Sequence, residues 1–285
     1  MTTPNRQSLI RLLAVDLDGT LLNSRSEVSS ANRQALAAAA ERGVQLVIVT
    51  GRRFHSAIQF VRHIPSPVTL ISSNGARITD SCGDVYHRNF LPSQIARQIL
   101  GVTRDYRPYA VAMFDIPGRG QVTMQDNAAT EGPLGWYLRN SPDALARVPD
   151  LEAAITADPG VVMFGGPPGR IEPLEPLLRS SSAASSVHLT WTKYPARNNS
   201  ILDVMNLGCS KGGALTLWAT RCRVQPGEVM AIGDNENDLE MLRFAGQPVV
   251  MGNRTAGLDS NGWPVTFSND EDGVAEAIRR YILLQ

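Results

Sequence analysis

The stretch that most narrows what this chain can fold into is Leu12-Leu13-Ala14-Val15-Asp16-Leu17-Asp18-Gly19-Thr20. An unbroken apolar run passes straight into two carboxylates two positions apart, and then into a glycine. Apolar residues in succession, without alternation, predict a strand buried on both faces, as in a parallel sheet covered by helices. Two acids just past such a strand repel each other unless a cation or phosphoryl chemistry compensates. The pattern casts Asp16 as a nucleophile, Asp18 as its acid–base partner and Mg²⁺ as the ion between them.

The surrounding sequence supports such a sheet. Ser29-Ser30-Ala31 opens an alanine-rich helix that closes at Gly43, with a hydroxyl cap at one end and a glycine stop at the other. Buried strands follow at 45–49, ending at Thr50-Gly51-Arg52, and at 68–71, ending at Ser72-Ser73-Asn74-Gly75, with a helix over about 55–63 between them. Strand–helix alternation of this kind predicts a doubly wound α/β fold with a parallel, Rossmann-like sheet. The same rhythm returns late in the chain. A helix begins near Ser210-Lys211, strands run over 229–232, 248–251 and 264–267, and helices span 238–245 and 274–284.

Between these halves the pattern changes. The runs 110–114 and 121–125 flank Ile116-Pro117-Gly118-Arg119-Gly120 and predict a hairpin. Further strands are expected at 161–164 and 187–192, and helices at about 92–105 and 171–179. The expected organisation is a core built from 1–83 and 197–285 with an inserted α+β unit over 84–196. The two crossings, near Gly83 and Pro195, are the expected hinges.

Composition excludes several classes of function. Twenty-seven Lys and Arg balance 27 Asp and Glu, so no global field favours nucleic acid or an anionic membrane surface. Cys82, Cys209 and Cys222 are scattered, which argues against a disulfide framework or zinc site and suits a reducing compartment. The start, Met1–Ser8, is polar, and no apolar run reaches the length of a membrane span. A cytoplasmic protein without a membrane partner is expected.

Asp16, Thr50, Asn74, Asp234, Asn253 and Asn269 each stand where a predicted strand ends, the edge at which open parallel sheets bind ligands. A polar residue there can serve only to turn the chain. The acids Asp16, Asp18, Asp234 and Asp238 at one edge ask for more, and an oxygen-liganded Mg²⁺ is the economical answer. Lys211 opens a helix and can bring a positive charge to that edge, while Thr50 and the Gly51 amide offer a hydroxyl and a backbone donor. Together these parts suit phosphoryl transfer through an aspartyl-phosphate.

Asp-Leu-Asp-Gly-Thr at 16–20, Thr-Gly-Arg at 50–52, Ser-Lys-Gly at 210–212 and Gly-Asp-Asn-Glu-Asn-Asp at 233–238 resemble, in order and spacing, motifs I to IV of the haloacid dehalogenase superfamily. Asn74-Gly75-Ala76, Met251-Gly252-Asn253, Glu271-Asp272-Gly273-Val274 and the insert between motifs II and III resemble its Cof-type sugar phosphatases, which carry a type IIB cap. The resemblance implies Asp16 as nucleophile and metal ligand, and Asp18 as acid–base and, by its backbone carbonyl, second ligand. Asp234 is then the third ligand. Thr50, Gly51, Lys211 and Asn237 hold the phosphate, Asp238 orients Lys211 or a metal-bound water, and Asn74 has a supporting place. The implied substrate is a small phosphorylated metabolite, a sugar phosphate by family habit. The alternatives are a phosphomannomutase-like phosphotransferase and a non-catalytic binding or regulatory module of the same fold. Departures from the family pattern fall at Arg254, at 258–263, and at Asn206, where a proline is expected.

Overall fold

The computed structural model describes residues 9–284; the polar stretch Met1–Ser8 lies outside them. In chain order the elements begin with β1 (Leu12–Asp16), α1 (Ser30–Glu41), β2 (Gln45–Val49), α2 (Phe54–Val61), β3 (Val68–Ser72), β4 (Arg77–Asp80) and β5 (Val85–Arg88). They continue with α3 (Ser93–Val102), β6 (Ala110–Met113), β7 (Val122–Gln125), α4 (Gly132–Asn140), β8 (Leu145–Val148), β9 (Val161–Gly166), α5 (Pro168–Ile171) and α6 (Leu174–Arg179). The last are β10 (Val187–Tyr194), β11 (Asn199–Asn206), α7 (Lys211–Arg221), β12 (Val229–Gly233), α8 (Leu239–Phe244), β13 (Gln247–Val250) and α9 (Gly273–Ile278).

Two sheets organise these elements. The first has the order β13-β12-β1-β2-β3-β4-β5, parallel from β13 to β3 and extended by the antiparallel ribbon β4–β5. Leu13 and Val15 of β1 pack under α1, α2 and α9, whereas Leu12 and Ala14 face α7 and α8. Burial of β1 from both sides is what its unalternated sequence demands. Strand order runs outward from β1 to β3 and then resumes at β12 on the other side of β1. The ends of β1 and β12 therefore flank a topological switch point, where a crevice opens at the carboxyl edge.

The second sheet has the order β10-β11-β9-β6-β7-β8. Helices α3, α5 and α6 cover one face. The other face holds Val111, Met163 and Met205, together with Leu134 of α4 and with Ala76 from the first sheet's side. The strand β5 lies within 84–196 but pairs in the first sheet, and β11 lies beyond 196 but pairs in the second. Where the chain passes between the sheets, Asn206 Nδ2 donates to Asn89 Oδ1 at 2.6 Å and ties the two passages together.

Several elements differ from expectation for local reasons. The strand expected at 264–267 is a lone parallel bridge between Val250 and Val265; Pro264 brings no N–H and Ser268 opens a new turn. The helix expected at 171–179 is split into α5 and α6, with Pro173 capping the second. The strand β11 and the ribbon β4–β5 have no counterpart in the sequence reading. Among the described residues, no helix is long and apolar enough to cross a membrane.

Candidate active site

Asp16 is the last residue of β1 and Asp234 the first after β12, so the switch point itself brings them together. Gly19 turns the chain between them with φ +81, and a Cβ there would stand 2.4 Å from Asp234 Oδ2. A left-handed, unobstructed residue is required, which is why glycine follows the second acid. Thr20 Oγ1 donates to Asp234 Oδ1 at 2.8 Å. Asn253 Nδ2 holds Gly19 O and Asn269 Nδ2 holds Leu22 O, each at 2.8 Å. These two asparagines brace the first loop rather than face a ligand.

Lys211 is the first residue of α7, whose Ser210 cap accepts from Gly213 N at 3.0 Å. Its Nζ donates to Asp16 Oδ1 at 2.6 Å and to Asp238 Oδ1 at 2.7 Å, with Lys211 1% and Asp238 0% exposed. Burial alone would lower the lysine's pKa, but the two carboxylates more than offset it and hold it as a cation. Asp238 Oδ2 accepts from the Asp234 and Asn235 amides at 2.9 and 3.1 Å. Both oxygens of Asp238 are therefore engaged, and its place is to orient Lys211 and the loop after β12.

Burial raises the Asp16 carboxyl to about 7; Lys211 opposes that shift, and Asp238 and Asp18 add to it. Asp234 is raised well above the carboxylate range, first by burial and then by Asp16 and Asp238. Oxygens of Asp16, Asp234 and Asp238 lie within 4.8 Å of one another. Their three charges exceed that of Lys211 by two. Asp16 and Asp234 each keep Oδ2 free of hydrogen bonds among the described residues. An all-oxygen donor set with that charge deficit fits a hard divalent cation.

Thr50 ends β2 and is 1% exposed, and its Oγ1 accepts from the Arg52 amide at 3.1 Å. Gly51 is exposed and packs on the Asn74 carboxamide, whose Oδ1 lies 3.2 Å from where a Cβ would stand. Asn74 Oδ1 accepts from Asn237 Nδ2 at 3.2 Å and its Nδ2 donates to Asp203 Oδ2 at 2.7 Å. The nine residues to which the resemblance gives a role thus lie at one edge, with Asn253 and Asn269 bracing the loop beside it. Asp18 is set apart from the acid cluster: Arg52 clamps its carboxylate with Nε at 2.7 Å and Nη2 at 2.5 Å.

The second sheet meets this edge. Asn235 Nδ2 donates to Lys193 O at 2.9 Å and its Oδ1 accepts from Lys193 N at 3.1 Å. Arg53 reaches from the other side to Gln121 Oε1 and Ser141 Oγ, both at 2.8 Å. Burial and the nearby Asp18, Asp16 and Asp234 charges push the Tyr194 phenol upward; Tyr137 is raised by burial and Asp203. Arg254 pairs with Asp259 at 2.6 Å, so the departures at 254 and 258–263 form one connected feature. Sequence reasoning missed Thr20, Arg52, Asn235 and Asp203 as participants. The first three lie inside the motifs, and Asp203 is visible as an acid in the apolar run 201–205.

Known proteins carry the same pattern. Residues 13–278 match the model of the haloacid dehalogenase-like hydrolase family. The chain is 28% identical over 291 residues to the phosphatase YwpJ of Bacillus subtilis (strain 168), covering 96% of this chain and 100% of that protein. It is 31% identical over 253 residues to the HMP-PP phosphatase of Serratia proteamaculans (strain 568), covering 88% and 87% respectively. A solved phosphatase of the haloalkanoate superfamily from Bacteroides thetaiotaomicron superposes with a TM-score of 0.80 at 28% identity, over 98% of each chain. With its motifs on one sheet edge and residues 13–278 matched, the chain belongs to the haloacid dehalogenase-like hydrolase family and stands among its Cof-type phosphatases.

Proposed function

We propose that the chain is a Mg²⁺-dependent phosphatase that hydrolyses a small phosphorylated metabolite through an aspartyl-phosphate at Asp16. The observation that carries this reading is the buried ammonium of Lys211 held between Asp16 and Asp238, beside the unengaged oxygens of Asp16 and Asp234. Mg²⁺, held by Asp16, the Asp18 carbonyl and Asp234, supplies positive charge to the phosphate oxygens.

The chain's own residues divide the remaining work. The Asp16 carboxylate attacks phosphorus, and Asp18 gives a proton to the departing alcohol oxygen. Asp18, then a carboxylate, takes a proton from the water that cleaves the acyl phosphate and regenerates Asp16. Lys211, Thr50, the Gly51 amide and Asn237 hold the phosphate, while Asp238 and Asn74 position that cradle. The second sheet acts as a cap, drawn from the insert at 84–196 and completed by β11. Its latches at Asn235 and Arg53 keep water away from the reacting atoms. A cytoplasmic setting accords with three unbonded cysteines.

Sugar phosphates are the substrate class implied by the family resemblance; the HMP-PP phosphatase among the relatives adds HMP-PP to the candidates. The test is release of inorganic phosphate from a panel of both kinds, with Mg²⁺, by wild type and Asp16→Ala. Release by wild type alone is expected. Equal activity of the two proteins would remove Asp16 from the mechanism. Transfer to a second hydroxyl without free phosphate would replace hydrolysis by a mutase reaction.

A further inference from the structure

The second sheet brings to this edge a carboxylate that the mechanism above does not use. Asp203 lies in the middle of β11, is 8% exposed, and is held by Asn74 Nδ2 at 2.7 Å. Asn74 Oδ1 accepts in turn from Asn237 Nδ2. Asn74 is itself buried in the left-handed region, at φ 51 and ψ 32, and packs on Gly51. Its carboxamide can turn over in place more readily than it can leave.

This chain of groups has a direction. An ionised carboxylate only accepts hydrogen bonds. Asn74 must then point its nitrogen at Asp203 and its oxygen at Asn237, so Asn237 commits one of its two amide N–H groups to Asn74. The consequence is visible: Asn237 Oδ1 is buried without a hydrogen-bond partner among the described residues. To offer a phosphate both of its N–H groups, Asn237 must turn its amide over, so that Oδ1 accepts from Asn74 instead.

We propose that Asp203 is a positioning residue whose acid form reverses this chain: it donates to Asn74, both carboxamides turn over, and the Asn237 amino group is freed for the phosphate. The proton comes from solvent, and no bond to phosphorus changes in this step. The inference rests on the phosphatase reading for its consequence, though not for the relay itself. Burial pushes Asp203 up to about 7, against the opposing effects of the Asn74 hydrogen bond and the Lys211 charge. The titratable groups that face it are Lys211 of α7, Tyr137 of α4 and Cys209 ahead of α7. Lys211 is held as a cation, burial raises Tyr137, and Cys209 is pushed up to about 12. None of these changes charge near neutrality.

The side-chain amide signals of Asn74 and Asn237 test this in asparagine-¹⁵N-labelled protein with saturating Mg²⁺, from about pH 5.5 to 8.5. Assignment uses Asn74→Ser and Asn237→Ser. Both amides are expected to move with one midpoint near that of Asp203 and to stay still in Asp203→Asn. The KM for p-nitrophenyl phosphate, as a ratio of wild type to Asp203→Asn, is expected to rise about tenfold between roughly pH 6 and 8, because the acid form shrinks by that factor. Taking the ratio cancels titrations common to substrate and metal. Static amides, unlike midpoints, or shifts that persist in Asp203→Asn would overturn the proposal. If Asp203→Asn does not fold, a shared midpoint in wild type supports the relay and separate midpoints overturn it. Coupled amide shifts without hydrolysis of any substrate would support the relay and remove the phosphatase reading instead.

Discussion

Lys211 shows what a single residue does here. An ammonium with 1% exposure is tolerable because two carboxylates share it, and those carboxylates are tolerable for the same reason. Lys211→Met should therefore do two things. It should lower kcat by about 10²–10³-fold, the scale of losing one preorganised charge at the reacting group. It should also cost about 3–5 kcal/mol of stability at pH 8, with a smaller loss at pH 5 where the stranded acids take up protons. Urea unfolding at the two pH values checks the second effect. Arg52 poses a subtler case. By two hydrogen bonds it holds both carboxyl oxygens of Asp18, the atoms proposed to move the proton, and its own part is to orient them. Arg52→Ala should lower kcat by about tenfold, well short of the about 10²–10⁴-fold expected for Asp18→Asn; equal losses would make Arg52 itself a reacting group. The acids and Lys211 were legible in the sequence because motif spacing follows the chemistry. Arg52 was printed in the same motif, but its partner is set by a side-chain direction that spacing does not encode.

At the level of elements, legibility followed burial. The strands β1, β2, β3 and β12 are apolar apart from an end residue or two and Thr69, and were plain in the sequence. In the ribbon β4–β5 the strand β4 is mostly buried yet carries Arg77, Thr79 and Asp80, while β5 is partly exposed with His87 and Arg88, and no run of apolar residues marks either. The strand β11 escaped because Asn199, Ser200, Asp203 and Asn206 break up its apolar positions, and of these Asp203 meets Asn74 at the site. Where elements meet, glycine decides the distance. Gly75 has φ +106, and a Cβ there would stand 2.2 Å from Ser210 O at the head of α7. Gly75→Ala should destabilise the fold by about 2–4 kcal/mol, the range for backbone strain combined with overpacking. It should lower kcat as well, because α7 carries Lys211. Denaturation of the variant together with a steady-state assay separates the two effects; full activity with wild-type stability would mean that the turn and helix yield independently.

Across the whole molecule, the acidic edge should tie stability to pH and, on the proposed reading, to metal. Asp16 titrates near 4 in an unfolded chain and at about 7 in the fold, and Asp234 is shifted the same way. The folded protein then binds more protons than the unfolded one between those values. Stability in EDTA should accordingly be highest below about pH 4 as far as these groups contribute, and fall as pH rises towards about 7. Saturating Mg²⁺ should flatten that slope, because the ion favours the ionised acids in the fold. Thermal melts across pH with EDTA or Mg²⁺ measure the difference. Equal slopes would deny the edge its cation.

The hydrogen bonds between Asn235 and the Lys193 backbone have a consequence for the pace of turnover. The loop that carries Asp234 and Asp238 is the same loop that grips the second sheet. On the proposed mechanism, product could not leave by lifting that sheet without slackening the loop whose Asp234 would hold the metal. Departure of the phosphate and loosening of the ion would then be one event, and a diffusive one. Turnover should slow in proportion to solvent viscosity as glycerol is added, and Asn235→Ala should abolish that drag.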